Sequence, residues 1–497
     1  MKTLSLSILI CLVLSVKVAM TAEPQLSGTV LIEDVTILSA HQGQPQHHMD
    51  VLLEGGRIER ILETGTNPPS ETIIDGSGKF LTPGLIDSHV HLGHNPIVNR
   101  DDAPVFEALN HAYRLQLPRS LLYHGFTTVI DLDYAPERNG WLAESELVPD
   151  VHHCGRGVRF AGGYGPAFVP PQFVERVFPN LVYEPQHKAF WPDGMDPELY
   201  TVDAAVERVV RSGAVCLKTY VETGFGGVFE WASPSAETLS ALAKAAQENG
   251  LVFVVHANSA QAWQMSVDAG ADVIAHGMWH WDGDRRGAEL TDAALVAIQN
   301  AVAAGVAVQP TVQVVVGEKA TLTGALLQDP RTLPLLPREL SDYLQSAKGR
   351  WSQRVLLELY EQHNPFADTT PETLIDVSIE RAMKSMERFH RSGGVLLMGS
   401  DTPAQDGIGN LPGLNGYLEM LGWAKAGIPL DRIFWSVTLG NAKGFQIDNE
   451  LGSVEPGKQA DLLLLNRNPL QDVSAYNDIA IVIVDGKPIK RGDLSAR

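Results

Sequence analysis

Residues 81–96 read LTPGLIDSHVHLGHNP and indicate the fold. A Pro-Gly pair marks a turn, and the apolar run that follows it is typical of a short buried strand. His89 and His91 stand two positions apart at the end of this run. Alternate residues of a strand point to the same side, so both imidazoles are expected to face one ion. The stretch therefore predicts a strand that ends in two metal ligands.

Four more side chains that can bind a metal stand at the ends of similar apolar runs. They are Lys218 in AVCLKTYVETGFGG, His256 in LVFVVHANSA, His276 in ADVIAHGMWH and Asp401 in GVLLMGSDTPA. In a parallel barrel the carboxyl ends of the strands meet at one face, where ligands from distant parts of the sequence converge. We therefore expect all six side chains to form one site.

The middle of the chain alternates apolar, strand-like runs with helical stretches, which is typical of βα units and a parallel sheet. We place strands near residues 85–91, 127–131, 157–162, 214–220, 251–256, 272–276, 306–311 and 395–400. Eight such strands fit a (β/α)8 TIM-type barrel. An insertion at 313–380 is expected to be either a lid or wall over the site or a purely structural excursion.

The two ends of the chain have a different texture, with short alternating runs that are separated by Gly-Gly and Asp-Gly pairs. This pattern is typical of antiparallel strands. We therefore expect residues 23–82 and 446–497 to form one discontinuous β domain. Residues 83–445 are expected to form the barrel.

Residues 1–22 have the pattern of a removable signal peptide. Lys2 gives a positive start, the apolar core from Leu4 to Val16 is too short to span a bilayer, and small residues follow near Ala22. We therefore expect an exported protein, either periplasmic or secreted. No later stretch resembles the run of about 20 apolar residues that a membrane span needs.

The charge and the cysteine content narrow the classes of function. The formal net charge of −21 would repel phosphate backbones, so nucleic acid is not expected as a partner. Cys154 and Cys216 would remain after signal cleavage. Two cysteines do not make a disulfide framework, so we expect the core, and not covalent links, to stabilise the fold.

Three blocks of sequence carry a family resemblance: the H-x-H stretch above, VHANSAQAWQMSVDAGADVIAHG at 255–277, and GSVEPGKQADLLLL at 452–465. Together with the aspartate in GSD and with VIVDGKPI at 482–489, they resemble the amidohydrolase superfamily of metal-dependent hydrolases over residues 28–490. The resemblance implies an α/β fold with a distorted (β/α)8 barrel and a small β-sandwich built from both termini. It also implies one or two divalent metal ions at the carboxyl ends of the strands.

The resemblance assigns roles to the candidate ligands. In binuclear members a carboxylated lysine at the end of the fourth strand bridges two metal ions, which implies N6-carboxylysine at Lys218 and two divalent ions, with Zn²⁺ favoured by the imidazoles. A lysine after an apolar run is otherwise usually a surface residue. His256 and His276 match the next two ligands, with hydrogen-bonded core histidines as the alternative. Asp401 matches the residue that binds metal and takes a proton from water, with a helix N-cap as the alternative.

Two positions indicate a branch of the family. Deaminases carry a glutamate three residues after the fifth-strand histidine, whereas this chain has Ser259 there, so ring deamination is disfavoured. The blocks are most similar to those of prolidase-like dipeptidases and N-acyl amino acid amidases. That branch has Gly-Gly-His-Gly after the third strand, and Tyr164 replaces the histidine here. Tyr164 can donate a hydrogen bond to a carboxylate or an oxyanion, and Tyr220 is a candidate to polarise the substrate carbonyl, with packing as its alternative role.

We therefore expect an enzyme that cleaves the C–N amide bond of a dipeptide or N-acyl amino acid with a metal-activated water, using Asp401 as general base and then acid. A lactone or ester hydrolase with the same centre and a non-catalytic metal-binding relic are the alternatives. Trp279, His280 and Trp281 either line an apolar pocket or pack under the insertion. The resemblance leaves the oligomeric state open between a monomer and a homo-oligomer, since the family often forms symmetric assemblies.

Overall fold

The computed structural model describes residues 28–94, 98–99, 101–225, 228–280, 286–364, 366, 368–404 and 408–496. The expected signal peptide at 1–22 and Trp281 lie outside the described residues. Within these ranges, no helix has both the length and the apolar character that a bilayer crossing requires.

The chain forms an α/β fold with strands of two to nine residues. The strands are β1 (Val30–Ile37), β2 (Gln46–Glu54), β3 (Arg57–Glu63), β4 (Thr72–Asp75), β5 (Phe80–Pro83), β6 (Leu85–Val90), β7 (Phe126–Asp131), β8 (Asp150–His153), β9 (Arg159–Phe160), β10 (Leu181–Val182), β11 (Cys216–Tyr220), β12 (Val252–His256), β13 (Val273–Ala275), β14 (Ala307–Gln309), β15 (Leu462–Leu465), β16 (Ile479–Val484) and β17 (Lys487–Lys490).

The helices lie mostly between the strands from β6 onward. They are α1 (Ala103–Tyr123), α2 (Pro136–Asn139), α3 (Pro171–Val177), α4 (Val202–Arg211), α5 (Ala236–Glu248), α6 (Ala260–Ala269), α7 (Asp292–Ala304), α8 (Val312–Thr323), α9 (Arg338–Gln345), α10 (Trp351–His363), α11 (Pro371–Arg391), α12 (Leu414–Lys425), α13 (Leu430–Trp435) and α14 (Asn441–Gly444).

The two ends of the chain form one sheet of eight strands. Its order is β17-β16-β15-β5-β1-β2-β3, with β4 paired to β1. The two halves meet where β5 pairs antiparallel with β15, so that Leu81 lies opposite Leu464. Both leucines are fully buried in the apolar face of this sheet. Residues separated by almost 400 positions therefore share one core.

The middle of the chain contains two parallel sheets, β6-β7-β8 and β11-β12-β13-β14. Backbone contacts join their edges: Val215 N–H, just before β11, donates to the C=O of His153 in β8, and β14 bridges to Leu396. A second bridge pairs Val90 of β6 with Thr402. Backbone pairing thus runs from β6 through β14 and returns to β6.

Local sequence explains how these βαβ connections fold. Ser235, Ser259 and Thr291 are the N-caps of α5, α6 and α7, and each hydroxyl accepts a hydrogen bond from the backbone N–H three residues later. A capped helix follows each of the strands β11, β12 and β13, so the next strand returns parallel to the previous one. The carboxyl ends of the strands therefore face the same side.

The expected third strand at 157–162 was wrong. The strand beside β7 is β8, and the only ladder within 157–162 is the two-residue β9, which pairs with β10. The sequence of β8 is DVHH, and all four residues are only partly buried. An apolar-run criterion misses a strand of this kind, because half-buried strands do not need a continuous apolar sequence.

The expected eighth strand at 395–400 forms one isolated bridge, between Leu396 and Val308, instead of a continuous ladder. Side chains occupy its carbonyl groups: Ser436 Oγ donates to Leu396 C=O, and Asn441 Nδ2 donates to Met398 C=O. Asn415 Nδ2 likewise donates to Ser400 C=O. Backbone bonds to the neighbouring strands remain, from Ser88 N–H to Met398 C=O and from Leu397 N–H to Val308 C=O, so the side chains add to this pairing.

The expectation of a fold without covalent links was also wrong. Cys154 and Cys216 form a disulfide across 62 residues of sequence. Cys154 follows β8 and Cys216 begins β11, and both are fully buried in the core between the sheets. Sequence spacing alone does not bring two cysteines together, since the contact depends on the order of strands in space.

Candidate metal centre

The six predicted ligands are brought together at the carboxyl ends of the parallel strands. His89 lies in β6, Lys218 in β11 and His256 at the end of β12. His91 and His276 directly follow β6 and β13, and Asp401 directly precedes Thr402, which bridges to Val90 of β6. All six line one cavity of about 430 Å³, a volume within the range of small-molecule sites.

Three of these side chains are close enough to share one ion. His89 Nε2 lies 3.3 Å from His91 Nε2, and Asp401 Oδ1 lies 3.3 and 3.1 Å from these two nitrogens. Ligand atoms about 2.1 Å from one ion at tetrahedral angles are separated by roughly 3.4 Å. The observed distances therefore fit a shared divalent ion without rearrangement.

The second pair of histidines adjoins this group. The rings of His256 and His276 are 4.5 Å apart between centroids, and the ring of His276 is 5.2 Å from that of His89. His276 Nδ1 lies 2.7 Å from Thr311 Oγ1 and 3.9 Å from Asp401 Oδ2. The five imidazole and carboxylate groups thus form one continuous cluster.

The backbone is strained at two of the ligands. His276 and Asp401 have φ values of 89° and 54°, a region that residues with a Cβ seldom adopt. Such conformations cost about 1–3 kcal/mol each and are found mainly at functional sites. Here the positive-φ conformation directs both side chains toward the cluster.

Lys218 has the surroundings that carboxylation requires. Its side chain is buried, and its Nζ has no hydrogen-bond partner among the described residues. Burial lowers the pKa of the Lys218 amine from 10.5 to about 7, Asp401 opposes this shift, and Arg159 adds to it. A neutral amine is nucleophilic, so it can react with carbon dioxide to give a carbamate. The buried, unpartnered amine therefore fits a carboxylated lysine between two ions better than a structural cation.

The protonation states also suit metal binding. Burial holds the pKa of His89 and His276 well below the usual value, so both imidazoles are neutral, which is the ligand form. Burial would raise the pKa of Asp401, but His89, His91 and His276 hold it well below its usual range. Asp401 is therefore an ionised carboxylate that can bind a cation or accept a proton.

The two predicted tyrosines lie beside the ligands. The ring of Tyr164 stacks on His256 at 5.0 Å, and that of Tyr220 lies 5.6 Å from the same histidine. Burial raises the pKa of Tyr164 to about 12 and also raises that of Tyr220. Both phenols are thus neutral donors, and the buried Oη of Tyr220 has no protein partner within the described ranges.

Three charged residues of the site were missed by the sequence analysis. Arg159 of β9 lines the cavity, with its Cζ 3.5 Å from the Tyr220 ring centroid and its Nη2 3.0 Å from Asp133. Glu222 Oε2 lies 3.4 Å from His256 Nε2. Asp133 and Glu222 each follow an apolar run, which is the signal that located the other six residues and could have located these two, whereas Arg159 follows only Gly157 and Val158.

The loop after β13 and the insertion both contribute to the cavity. Trp279 is buried with its ring 4.7 Å from that of His276, and both Trp279 and His280 line the cavity. The insertion supplies lining residues from α8, α10 and α11, such as Val314, Leu359 and Leu374. Of the two expectations for the insertion, the wall is therefore the one the structure supports.

The profile of the Amidohydrolase family matches residues 80–489, a range that includes all six ligands. The chain belongs to the amidohydrolase family. The family resemblance seen in the sequence is thereby confirmed. This membership supports a metal-dependent hydrolase.

Solved structures of amidohydrolases share the fold over nearly the whole chain. A Xaa-Pro dipeptidase with bound methionine in its active site matches with a TM-score of 0.63 at 21% identity, over 93% of this chain and 100% of that one. A prolidase complexed with N-methylphosphonate-L-proline matches with a TM-score of 0.63 at 19% identity, over 93% and 99%. At these identities the likeness concerns the fold alone.

Curated relatives match shorter segments. The 5-methylthioadenosine/S-adenosylhomocysteine deaminase of Thermoanaerobacter pseudethanolicus is 32% identical over 120 residues, which are 21% of this chain and 28% of that protein. The chain therefore matches little more than a quarter of the length of this relative.

Proposed function

We propose that this amidohydrolase is a binuclear, metal-dependent enzyme that cleaves the C–N amide bond of a dipeptide or an N-acyl amino acid. We further propose that its parallel strands form a distorted (β/α)8 barrel, to which the terminal sheet adds a small β-sandwich. One observation carries the catalytic proposal: Lys218, buried and without a hydrogen-bond partner in the part of the chain that the structure describes, lines the same cavity as four histidines and Asp401.

The proposed ligands are His89, His91, His256, His276, Asp401 and carboxylated Lys218. Bound Zn²⁺-like ions would supply Lewis-acid polarisation of the carbonyl and a nucleophilic water at neutral pH. Asp401 is ionised and lies next to the imidazoles of His89, His91 and His276, so its carboxylate can accept the proton of the attacking water. It then returns this proton to the departing nitrogen, which leaves poorly from an amide unless it is protonated.

Neighbouring side chains supply orientation. Tyr220 has a neutral hydroxyl, without a hydrogen-bond partner among the residues described, that can donate to the carbonyl oxygen, and Tyr164 can donate to an oxyanion or a carboxylate. Arg156 and Arg159 share the single carboxylate of Asp133, at 3.7 and 3.0 Å. Two guanidinium groups on one carboxylate leave a net positive charge at the side of the cavity that Arg159 lines, which suits the carboxylate of an amino acid substrate.

Export of the protein is part of the proposal. The disulfide between Cys154 and Cys216 supports it, because such bonds persist in the periplasm and outside the cell but are rare in the cytosol.

The test is metal content and turnover of the purified mature protein, compared with Lys218→Ala and Asp401→Asn. We expect about two ions per wild-type chain, fewer in Lys218→Ala, and hydrolysis of dipeptides or N-acyl amino acids that falls by at least about 10²-fold in Asp401→Asn. Esters and lactones in the same assay test the alternative leaving groups. One ion that Lys218→Ala leaves unchanged would overturn the bridged centre, and near wild-type turnover in Asp401→Asn would overturn its role.

Deamination is a second candidate because the matched relatives include deaminases. The residue three positions after His256 is Ser259, whose hydroxyl accepts a hydrogen bond from Ala262 N–H as the N-cap of α6. Ser259 therefore serves as a helix cap, and its hydroxyl lacks the acidity of the carboxyl group that deaminases carry at this position. Release of ammonia from adenine nucleosides, without any amide hydrolysis, would favour the second candidate.

A further inference from the structure

One side of the cavity is formed by aromatic rings from two loops. Tyr164, Phe168, Phe225 and Phe229 line the cavity. Trp231 packs against all four, with centroid distances of 5.5, 5.1, 4.9 and 4.9 Å respectively. We call these five residues the aromatic wall. The rings of the aromatic wall therefore contact one another directly.

Hydrogen bonds and one close approach tie together the described residues on both sides of positions 226–227, next to three of these rings. Gly224 has a φ of 128°, and a Cβ at this position would lie 1.9 Å from the carbonyl oxygen of Phe229. Phe229 N–H donates to Gly224 C=O, and Glu222 Oε1 accepts from the N–H groups of Gly224 and Phe225. Only glycine permits this close turn, so the sequence itself places Phe225 and Phe229 against Trp231.

The aromatic wall reaches the metal centre on one side and faces aliphatic residues on the other. Tyr164 stacks on the candidate ligand His256 at 5.0 Å. Val314, Val315, Leu359 and Leu374 of the insertion line the same cavity. A substrate bound at the centre therefore extends into a space between aromatic and aliphatic side chains.

We infer that the substrate carries a planar aromatic group that packs on the aromatic wall, so that the preferred amides are aromatic N-acyl amino acids or dipeptides with an aromatic side chain. This inference rests on the proposed function and names its substrate class. An aromatic ring gains edge-to-face or offset-stacked contacts with the wall that a saturated ring of similar size lacks. Selectivity for planarity, beyond apolarity, is thus the property that the wall confers.

The experiment compares matched amides that differ only in planarity. Phenylalanine and cyclohexylalanine amides test the amine side, and N-benzoyl and N-cyclohexanecarbonyl amides test the acyl side. On one of the two sides, we expect kcat/KM for the aromatic member to be about tenfold higher, the effect of two aromatic contacts. In Phe229→Leu and Phe225→Leu this ratio is expected to fall to about threefold or less.

Phe173→Leu is the control, since Phe173 is partly exposed on α3 and does not line the cavity. Its ratio should equal that of the wild type, and thermal unfolding shows which variants are folded. Equal kcat/KM for planar and saturated members on both sides, with normal amide turnover, would overturn the inference and leave the proposed function standing. Absence of amide turnover would overturn the proposed function. Calorimetric binding of N-benzoylglycine, unchanged in Phe229→Leu, would then overturn the inference separately.

Discussion

The carboxylate of Glu222 connects the candidate metal ligand His256 to the loop that begins with Gly224 and Phe225. Its Oε2 lies 3.4 Å from His256 Nε2, while its Oε1 accepts from the N–H groups of Gly224 and Phe225. Burial would raise the pKa of Glu222, but the contact with His256 and the nearby charge of His280 lower it to about 2. An ionised carboxylate therefore orients the imidazole and fixes the start of the aromatic loop.

We predict that Glu222→Gln weakens metal binding by about 10- to 100-fold, which is typical when a residue that orients a ligand is changed. The amide can still accept from the two N–H groups, but it lacks the charge that faces His256. Metal affinity, measured by competition with a chelator, checks this prediction.

Glu230→Gln is the matched control for this prediction, since Glu230 is exposed on the same loop. It removes the same charge without touching a candidate ligand. Equal metal affinity in the two variants would contradict the orienting role of Glu222.

The buried amine of Lys218 leads to a second prediction. Because its pKa is about 7, a large share of the amine is neutral at neutral pH and can react with carbon dioxide. We predict that bicarbonate accelerates recovery of activity when the metal-free wild-type protein is given Zn²⁺. Protein loaded with ¹³C-bicarbonate should show a carbamate signal by NMR that Lys218→Ala lacks. A signal of the same strength in both proteins would place the carbamate elsewhere.

The disulfide gives a third prediction, on stability. A link across 62 residues restricts the unfolded chain, and the loop-entropy relation gives about 4 kcal/mol of stabilisation. The double variant Cys154→Ala/Cys216→Ala should therefore unfold at a clearly lower urea concentration than the oxidised wild type. Wild-type protein reduced before unfolding should resemble the variant. Identical midpoints for all three samples would show that the link does not stabilise the fold.

Sequence reasoning located what depends on local pattern. The candidate ligands His89, His256 and Asp401 stand at the ends of apolar runs. Parallel strands bring their carboxyl ends together, so the convergence of these residues could be predicted from the runs themselves. The strand DVHH of β8 was missed because its residues are only partly buried, so its sequence has no apolar run. The disulfide was missed because its formation depends on which strands are neighbours.

The aromatic wall was beyond the sequence for a further reason. Phe225, Phe229 and Trp231 lie in a loop without periodicity, and their grouping depends on a glycine turn and on contacts with Phe168 from a distant loop. The charged residues at strand ends were visible in principle. Arg159 stands in GVRFAGG after only Gly157 and Val158, and a lone arginine there has no motif that distinguishes it from a surface residue.

The last prediction concerns Asp461, at the junction of the terminal sheet and the parallel strands. Its C=O accepts from Gly84 N–H, which precedes β6, and its Oδ1 accepts from Asp485 N–H at 2.8 Å. Burial, together with the nearby charge of Asp150, raises the pKa of Asp461 from 3.8 to about 8. The folded state therefore holds a proton between pH 4 and 8 that the unfolded chain has released, so this group makes stability fall as the pH rises through that window.

Asp461→Asn should remove this contribution, because the amide has no proton to lose and its oxygen still accepts from Asp485 N–H. We predict that the thermal midpoint of the variant exceeds that of the wild type at pH 8, and that the difference is smaller at pH 5. Other titrating groups are common to both proteins, so the change in the difference isolates Asp461. Asp431→Asn removes a charge from an exposed position, and its thermal midpoint should equal that of the wild type at both pH 5 and pH 8. A difference between Asp461→Asn and wild type that stays constant from pH 5 to pH 8 would mean that Asp461 is ionised in the folded protein throughout, with the buried charge stabilised by its surroundings.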